Sequence, residues 1–161
     1  MVGFGSGAGG GPVGRIEDAH LLIIESRYYE KIADLLIEGV EAELKEHAVT
    51  YDRIAVPGAL EIPQVLAAAC NDLVTYDGVI ALGCVIRGET AHYDIVCNNA
   101  NHWLMQLAIE HTLPLGNAIL TVDTEAQAIA RAQGGKAGKG GSATRACLRL
   151  IEIARVGFDG A

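Results

Sequence analysis

Positive charge is scarce in this chain. Twelve lysines and arginines stand against twenty aspartates and glutamates, a formal net charge of −8. Nonspecific nucleic-acid binding needs clustered cations, so a general nucleic-acid surface is excluded and any phosphate handled here is small. Cysteine appears only at Cys70, Cys84, Cys97 and Cys147, with no CxxC or metal spacing. Such thiols read as reduced and mostly buried. The histidines, at positions 20, 47, 92, 102 and 111, form no HExxH or paired-ligand pattern, and no metal site is expected. Long apolar runs are missing too. None approaches the ~20 residues that span a bilayer, so no membrane partner is expected. The opening MVGFGSGAGGGPVG lacks the basic and apolar regions of a targeting sequence, which makes a cytoplasmic protein the expectation. Its glycines and Pro12 mark a flexible tail over residues 1–18, ahead of a single domain over residues 19–161 that is long enough to bury a core unaided.

What the chain does have is an alternation of short apolar runs with amphipathic stretches. Residues 20–25 (HLLIIE) read as a strand, and Ile32, Leu35, Leu36, Val40 and Leu44 recur behind it at helical spacing. A second strand covers residues 51–56. Pro57 and Gly58 break it before Pro63 opens a helix carrying Val65, Leu66, Ala69 and Leu73. A third strand over residues 79–85 leads to a helix over about residues 91–111, and Pro114 and Gly116 precede a fourth strand at residues 118–122. Asp123 or Thr124 can cap a helix over residues 125–132, and Ser142 a final one through about Val156. The order βαβαβαβαα predicts a flavodoxin-like α/β three-layer sandwich, with a four-stranded parallel sheet flanked by helices on both faces.

Chemistry concentrates in ALGCVIRGETAHYD, residues 81–94. A buried strand runs there into a polar turn and then a histidine, at the strand end where open α/β sheets bind ligands. A glycine lets backbone approach a ligand, a helix start favours an anion, and His92 lies within a turn of both. His92 reads either as a hydrogen-bonded structural residue or as a proton-transfer group beside Glu89 and Thr90. Tyr28 and Tyr29, after the first strand, stack on a planar ligand or merely cover the core. Asn98, Asn99, Asn101 and Trp103 read as packing or interface residues. The loop GGKAGKGG misses the P-loop pattern by spacing and follows a helix. It remains either a solvated interhelical loop or a source of cations and open amides near Arg131.

The segments VPGALEIP (residues 56–63), GCVIRGETAHYD (83–94), ILTVDTEAQAIARA (119–132) and the later KAGKGG loop resemble the lumazine synthase family in order and approximate spacing, over roughly residues 20–155. The resemblance implies a transferase of riboflavin biosynthesis. It would condense 5-amino-6-(D-ribitylamino)uracil with 3,4-dihydroxy-2-butanone 4-phosphate to 6,7-dimethyl-8-ribityllumazine, phosphate and water, without metal or cofactor. By the same resemblance, Tyr28 stacks on the pyrimidine, and Ala59, Leu60 and Glu61 line the ribityl chain and ring. Cys84, Val85 and Ile86 hold the pyrimidine edge, Cys84 by position rather than nucleophilicity. Glu89 and Thr90 form the phosphate turn, Glu89 through its backbone amide, with Arg131 as the phosphate clamp. Lys139 reaches the pyrimidine or the phosphate, and His92 is the general acid/base.

Three places depart from the family's pattern. Asn117 stands where many relatives carry an aromatic over the pyrimidine, KAGKGG replaces the frequent KAGNKG and leaves Lys136 and Lys139 both candidates, and the N-terminal segment is rich in glycine. The resemblance further implies a pentamer with active sites between adjacent subunits, Tyr28, Leu60, Val85 and His92 coming from one and Asn117 and Arg131 from the next. Some relatives close such pentamers into sixty-subunit shells; a free pentamer is expected here. The alternative is a flavin- or lumazine-binding or shell-forming paralogue on the same scaffold.

Overall fold

In the computed structural model, which describes residues 13–72 and 75–160, the apolar runs form strands β1 (Glu17–Ser26), β2 (Ala48–Val56), β3 (Gly78–Ile86) and β4 (Leu115–Val122). The amphipathic stretches form helices α1 (Glu30–Leu44), α2 (Ile62–Cys70), α3 (His92–Glu110), α4 (Glu125–Ala132) and α5 (Lys139–Val156). The strands pair in parallel in the order β2-β1-β3-β4. Successive residues of a strand face opposite sides of the sheet, and both sides are covered. Leu21, Ile23, Ile80, Leu82 and Leu120 pack with α1, α4 and α5, whereas Leu22, Ile24, Val79, Ala81 and Ile119 pack with α2 and α3. That double burial is why β1 and β3 read as continuous apolar runs. The architecture is the expected three-layer α/β sandwich. Among the described residues, no helix is long and apolar enough to cross a membrane.

Several boundaries differ from the sequence reading. β1 begins at Glu17, ahead of the expected residue 20, because the polar start pairs through its backbone: Glu17 lies opposite Ala48, and a register shift follows at Asp18, whose φ is 54°. Ile16 is already buried. The expected tail therefore overlaps ordered chain at its end, and its residues 1–12 lie outside the described residues, as does Leu73. β2 and β4 each start three residues earlier than expected: β2 pairs through a largely exposed start, and β4 through Leu115, Gly116 and Asn117, where a glycine and an asparagine interrupt the apolar signal. Thr124, not Asp123, caps α4, its Oγ1 accepting from the Gln127 N–H at 3.2 Å.

The largest correction concerns the glycine-rich loop. Ser142 caps nothing. It lies inside α5, its N–H donating to the Gly138 carbonyl at 3.0 Å. Gly138, Gly140 and Gly141 are buried, and a methyl at Gly140 would run into the Leu36 carbonyl of α1, one at Gly141 into the Lys136 carbonyl. On the facing helix, a Cβ at Gly39 would stand 2.7 Å from the Gly135 carbonyl oxygen. These glycines let α1 and α5 touch backbone to backbone, so the segment is a packing seam rather than a solvated loop.

Candidate active site

Parallel strands deliver their carboxyl ends to one edge of the sheet, and crossovers to opposite faces part there. The cleft so formed holds about 340 Å³, at the small end of the roughly 300–1,000 Å³ usual for ligand pockets. Tyr28 enters from the end of β1, Ala59, Leu60 and Glu61 from a short 3-10 turn after β2, Cys84, Val85 and Ile86 from β3, and Thr90 and His92 from the turn and first residue of α3. These sequence-predicted residues line one cavity.

Each is held by an identifiable cause. The strand end before Tyr28 is fixed by Glu25, a carboxylate only 2% exposed, which accepts from Arg53 Nε at 2.7 Å and Arg27 Nη1 at 3.2 Å. A buried carboxylate is tolerable only with such partners. Tyr28 itself is 72% exposed, its ring edge-on to Tyr29 at 5.0 Å. One face is free for a planar ligand. Cys84 is buried, and desolvation, then the neighbouring Cys97, push its thiol up to about 11. It stays protonated at neutral pH and offers shape and a weak donor, not a nucleophile. The His92 N–H donates to Thr90 Oγ1 at 3.4 Å, which leaves the imidazole exposed at the mouth of the cleft. Glu89, between Gly88 and Thr90, is exposed.

The cavity also includes residues that the sequence reading did not assign to the site: Tyr29, Gly58, Gly88, Tyr93 and Val96. Gly88 and Tyr93 sit inside the motif already singled out, so contiguity was the available signal. Tyr93 is the main omission. It stands beside Thr121 of β4 and Cys97 of α3, and burial pushes its pKa up.

Three predicted residues lie away from this chain's cleft. Asn117 is mid-strand in β4, where Nδ2 donates to Asn101 Oδ1 at 2.7 Å and Oδ1 accepts from the Ile119 N–H at 2.9 Å. Arg131 is exposed on α4, its Nη1 reaching only the Gln127 carbonyl at 3.4 Å. Lys139, the first residue of α5, is exposed and has no hydrogen-bond or ion-pair partner among the described residues. Lys136 is different: its ammonium pairs with Glu46 and stands 4.0 Å from the buried Glu43, which Arg145 also binds at 2.8 Å. Of the two lysines, only Lys139 is without an ion pair among the described residues.

Behind the cleft lies an apolar groove of about 620 Å³ between α2 and α3. Leu60 belongs to both cavities. Ile95 and Trp103 on its far wall are 55% and 48% exposed, more apolar surface than a solvated helix needs to show.

Residues 18–155 match the family model described as 6,7-dimethyl-8-ribityllumazine synthase. A protein of that name from Agrobacterium fabrum is 52% identical over 138 residues, covering 83% of this chain and 93% of the relative. Its namesake in Azorhizobium caulinodans is 50% identical over 147 residues, covering 89% and 91%, and that of Bartonella tribocorum 48% identical over 134 residues, covering 83% and 89%.

Proposed function

This chain belongs to the 6,7-dimethyl-8-ribityllumazine synthase family, and on that premise we propose that the cleft at the carboxyl edge of its sheet is the active site. The chain is a transferase of riboflavin biosynthesis. It condenses 5-amino-6-(D-ribitylamino)uracil with 3,4-dihydroxy-2-butanone 4-phosphate, releasing phosphate and water. The observation that carries the site assignment is the convergence of Tyr28, Leu60, Cys84, Thr90 and His92 on one cavity.

Tyr28 stacks its free face on the pyrimidinedione, while Ala59, Leu60 and Glu61 border the ring and ribityl chain. The protonated Cys84, with Val85 and Ile86, holds the ring's other edge. Thr90 and the backbone amide of Glu89 meet the phosphate at the start of α3, where unpaired N–H groups favour an anion. His92 exchanges protons during imine formation and phosphate elimination, a contribution worth about 10²–10⁴-fold. Much of the remaining gain comes from holding two reactants together, because the amine is already a nucleophile and phosphate a good leaving group.

Asn117, Arg131 and Lys139 point this reading toward an assembly. In a ring built by one heterologous contact, the next subunit supplies Arg131 as the phosphate clamp and Asn117 to the pyrimidine; Lys139, with no partner of its own, serves the same composite site. We read the assembly as a free pentamer and place it in the cytoplasm, where four unpaired thiols suit a reducing compartment.

The test is formation of the lumazine chromophore above the uncatalysed rate. His92→Ala should slow turnover about 10²-fold without abolishing it, and Arg131→Ala should chiefly raise KM for the butanone phosphate. At subsaturating butanone phosphate, mixing the two dissociated variants should raise activity above that of either alone, because some mixed rings pair an intact cleft with an intact arginine. Unchanged steady-state constants in both variants would sink the roles, and no recovery on mixing would sink the shared site. An assembled protein that binds lumazine without accelerating its formation would be a binding protein. Native mass spectrometry should give five subunits; sixty would reject the free pentamer.

A further inference from the structure

Arg87 closes β3 and precedes the turn to which phosphate binding is assigned above. Its backbone N–H donates to the Val122 carbonyl at 2.9 Å, the last rung between β3 and β4. Its side chain then makes three contacts. Nε donates to Asp123 Oδ1 at 2.9 Å, Nη1 stands 3.8 Å from Asp94 Oδ1, and the guanidinium carbon lies 4.2 Å from the centre of the Tyr93 ring. A planar cation suits such a post, because it can fork to a carboxylate and lie flat on an aromatic face at once.

The next residue is the weak point. Gly88 is the backbone type with the least conformational restraint, and nothing lies within 4 Å of where its Cβ would be. The turn over residues 88–90 therefore depends on what grips its two ends. At the far end is α3, with the His92 N–H on Thr90 Oγ1. At the near end is Arg87.

Asp123 adds a second reach. Its N–H donates to Gln127 Oε1 at 2.8 Å, and the Gln127 carbonyl is the one Arg131 touches. One cation thus joins the phosphate turn of a chain's own cleft and the Tyr93 wall to the head of the helix whose Arg131 is assigned to the neighbouring cleft. We infer that Arg87, locked on Asp123, is a positioning residue that sets the phosphate turn and Tyr93, and is not itself a phosphate ligand. The inference rests on the phosphate reading of that turn. Two carboxylates already meet the cation's charge. At side-chain exposures of 48% for Arg87 and 65% for Asp123, the pair adds little to folding, so its contribution lies in geometry.

That distinction yields opposite signs in one experiment. Asp123→Asn frees Arg87: a positioning role predicts weaker phosphate binding, whereas a ligand role predicts tighter binding. Affinity for inorganic phosphate, by calorimetry on the assembled protein, would be measured beside KM and kcat for both substrates, the melting temperature and the subunit mass. Arg87→Gln and Asp123→Asn should each weaken phosphate and raise KM for the butanone phosphate about tenfold. KM for the pyrimidine, kcat, the melting temperature and the mass should stay close to wild type, and Arg87→Lys should fall between. Tighter phosphate binding in Asp123→Asn, unchanged constants in both variants, or losses that merely track a lower melting temperature would each overturn the inference. If the wild type turns over but binds no phosphate at this turn, the reading beneath fails and the inference with it.

Discussion

Gly88 and Gly140 look alike in sequence. Each lies in a polar, glycine-bearing turn that leads into a helix with a basic residue nearby, and either could be taken for an anion cradle. In the fold they are opposites. A side chain at Gly88, on the lip of the cleft, would meet nothing within 4 Å, whereas one at Gly140 would meet the backbone of α1. One glycine borders open space and the other makes room for a helix. The missing Cβ is legible in sequence; what fills its place is not.

Gly140→Ala attacks the packed side of this contrast and should have the largest effect. Backbone cannot yield as a side-chain tip can, and the substitution should cost about 3 kcal/mol or more, read as a fall in the urea midpoint. A loss below about 1 kcal/mol would mean that α1 and α5 slide apart freely, and the contrast would break.

Each region also holds a buried thiol, and pH separates them. Burial pushes Cys147 up to about 12 and Cys84 to about 11 from the ordinary thiol value of 9. A raised thiol pKa favours the protonated folded form, so its stabilisation is complete below pH 9 and declines as the unfolded chain ionises first, through about 11 for Cys84 and 12 for Cys147. Each pH unit in that window costs about 1.4 kcal/mol per thiol. Cys147→Ala should flatten the alkaline fall as far as about pH 12 and Cys84→Ala only to about 11, and an equal end point would say that the two thiols are equally shielded.

Gly88→Ala probes the open side. Its expected signature is an unchanged melting temperature with butanone-phosphate KM raised about tenfold, since the methyl occupies ligand space. A lower melting temperature at constant KM would assign Gly88 to the fold instead. Smallest is the paired test of the lysines. Lys139→Met should raise substrate KM several-fold, while Lys136→Met should shift only stability, by about 1 kcal/mol or less for a half-exposed pair. The reverse pattern would exchange their roles.

The sheet was legible because double burial makes β1 and β3 uniformly apolar, a one-dimensional signal. The start of α5 was not. Its first turn is Lys-Gly-Gly, a poor helix by propensity, selected by contact with α1 about a hundred residues earlier in the chain. In the cleft, residues on single strand ends came together as expected, since contiguity puts them there. Tyr93 was passed over beside His92 because its surroundings include Thr121 on β4, a different element of the fold. The ion pairs of Lys136 were likewise not legible, because Glu43 and Glu46, which engage it, are distant in the chain.

Leu60 has one flank in the cleft and the other in the apolar groove between α2 and α3. If a second copy seats in that groove, the same side chain answers to substrate on one side and to association on the other. Specific activity would then cease to be a constant of the protein: it would fall on dilution as copies separate, and saturating substrate would draw them back together, by mass action on a single leucine.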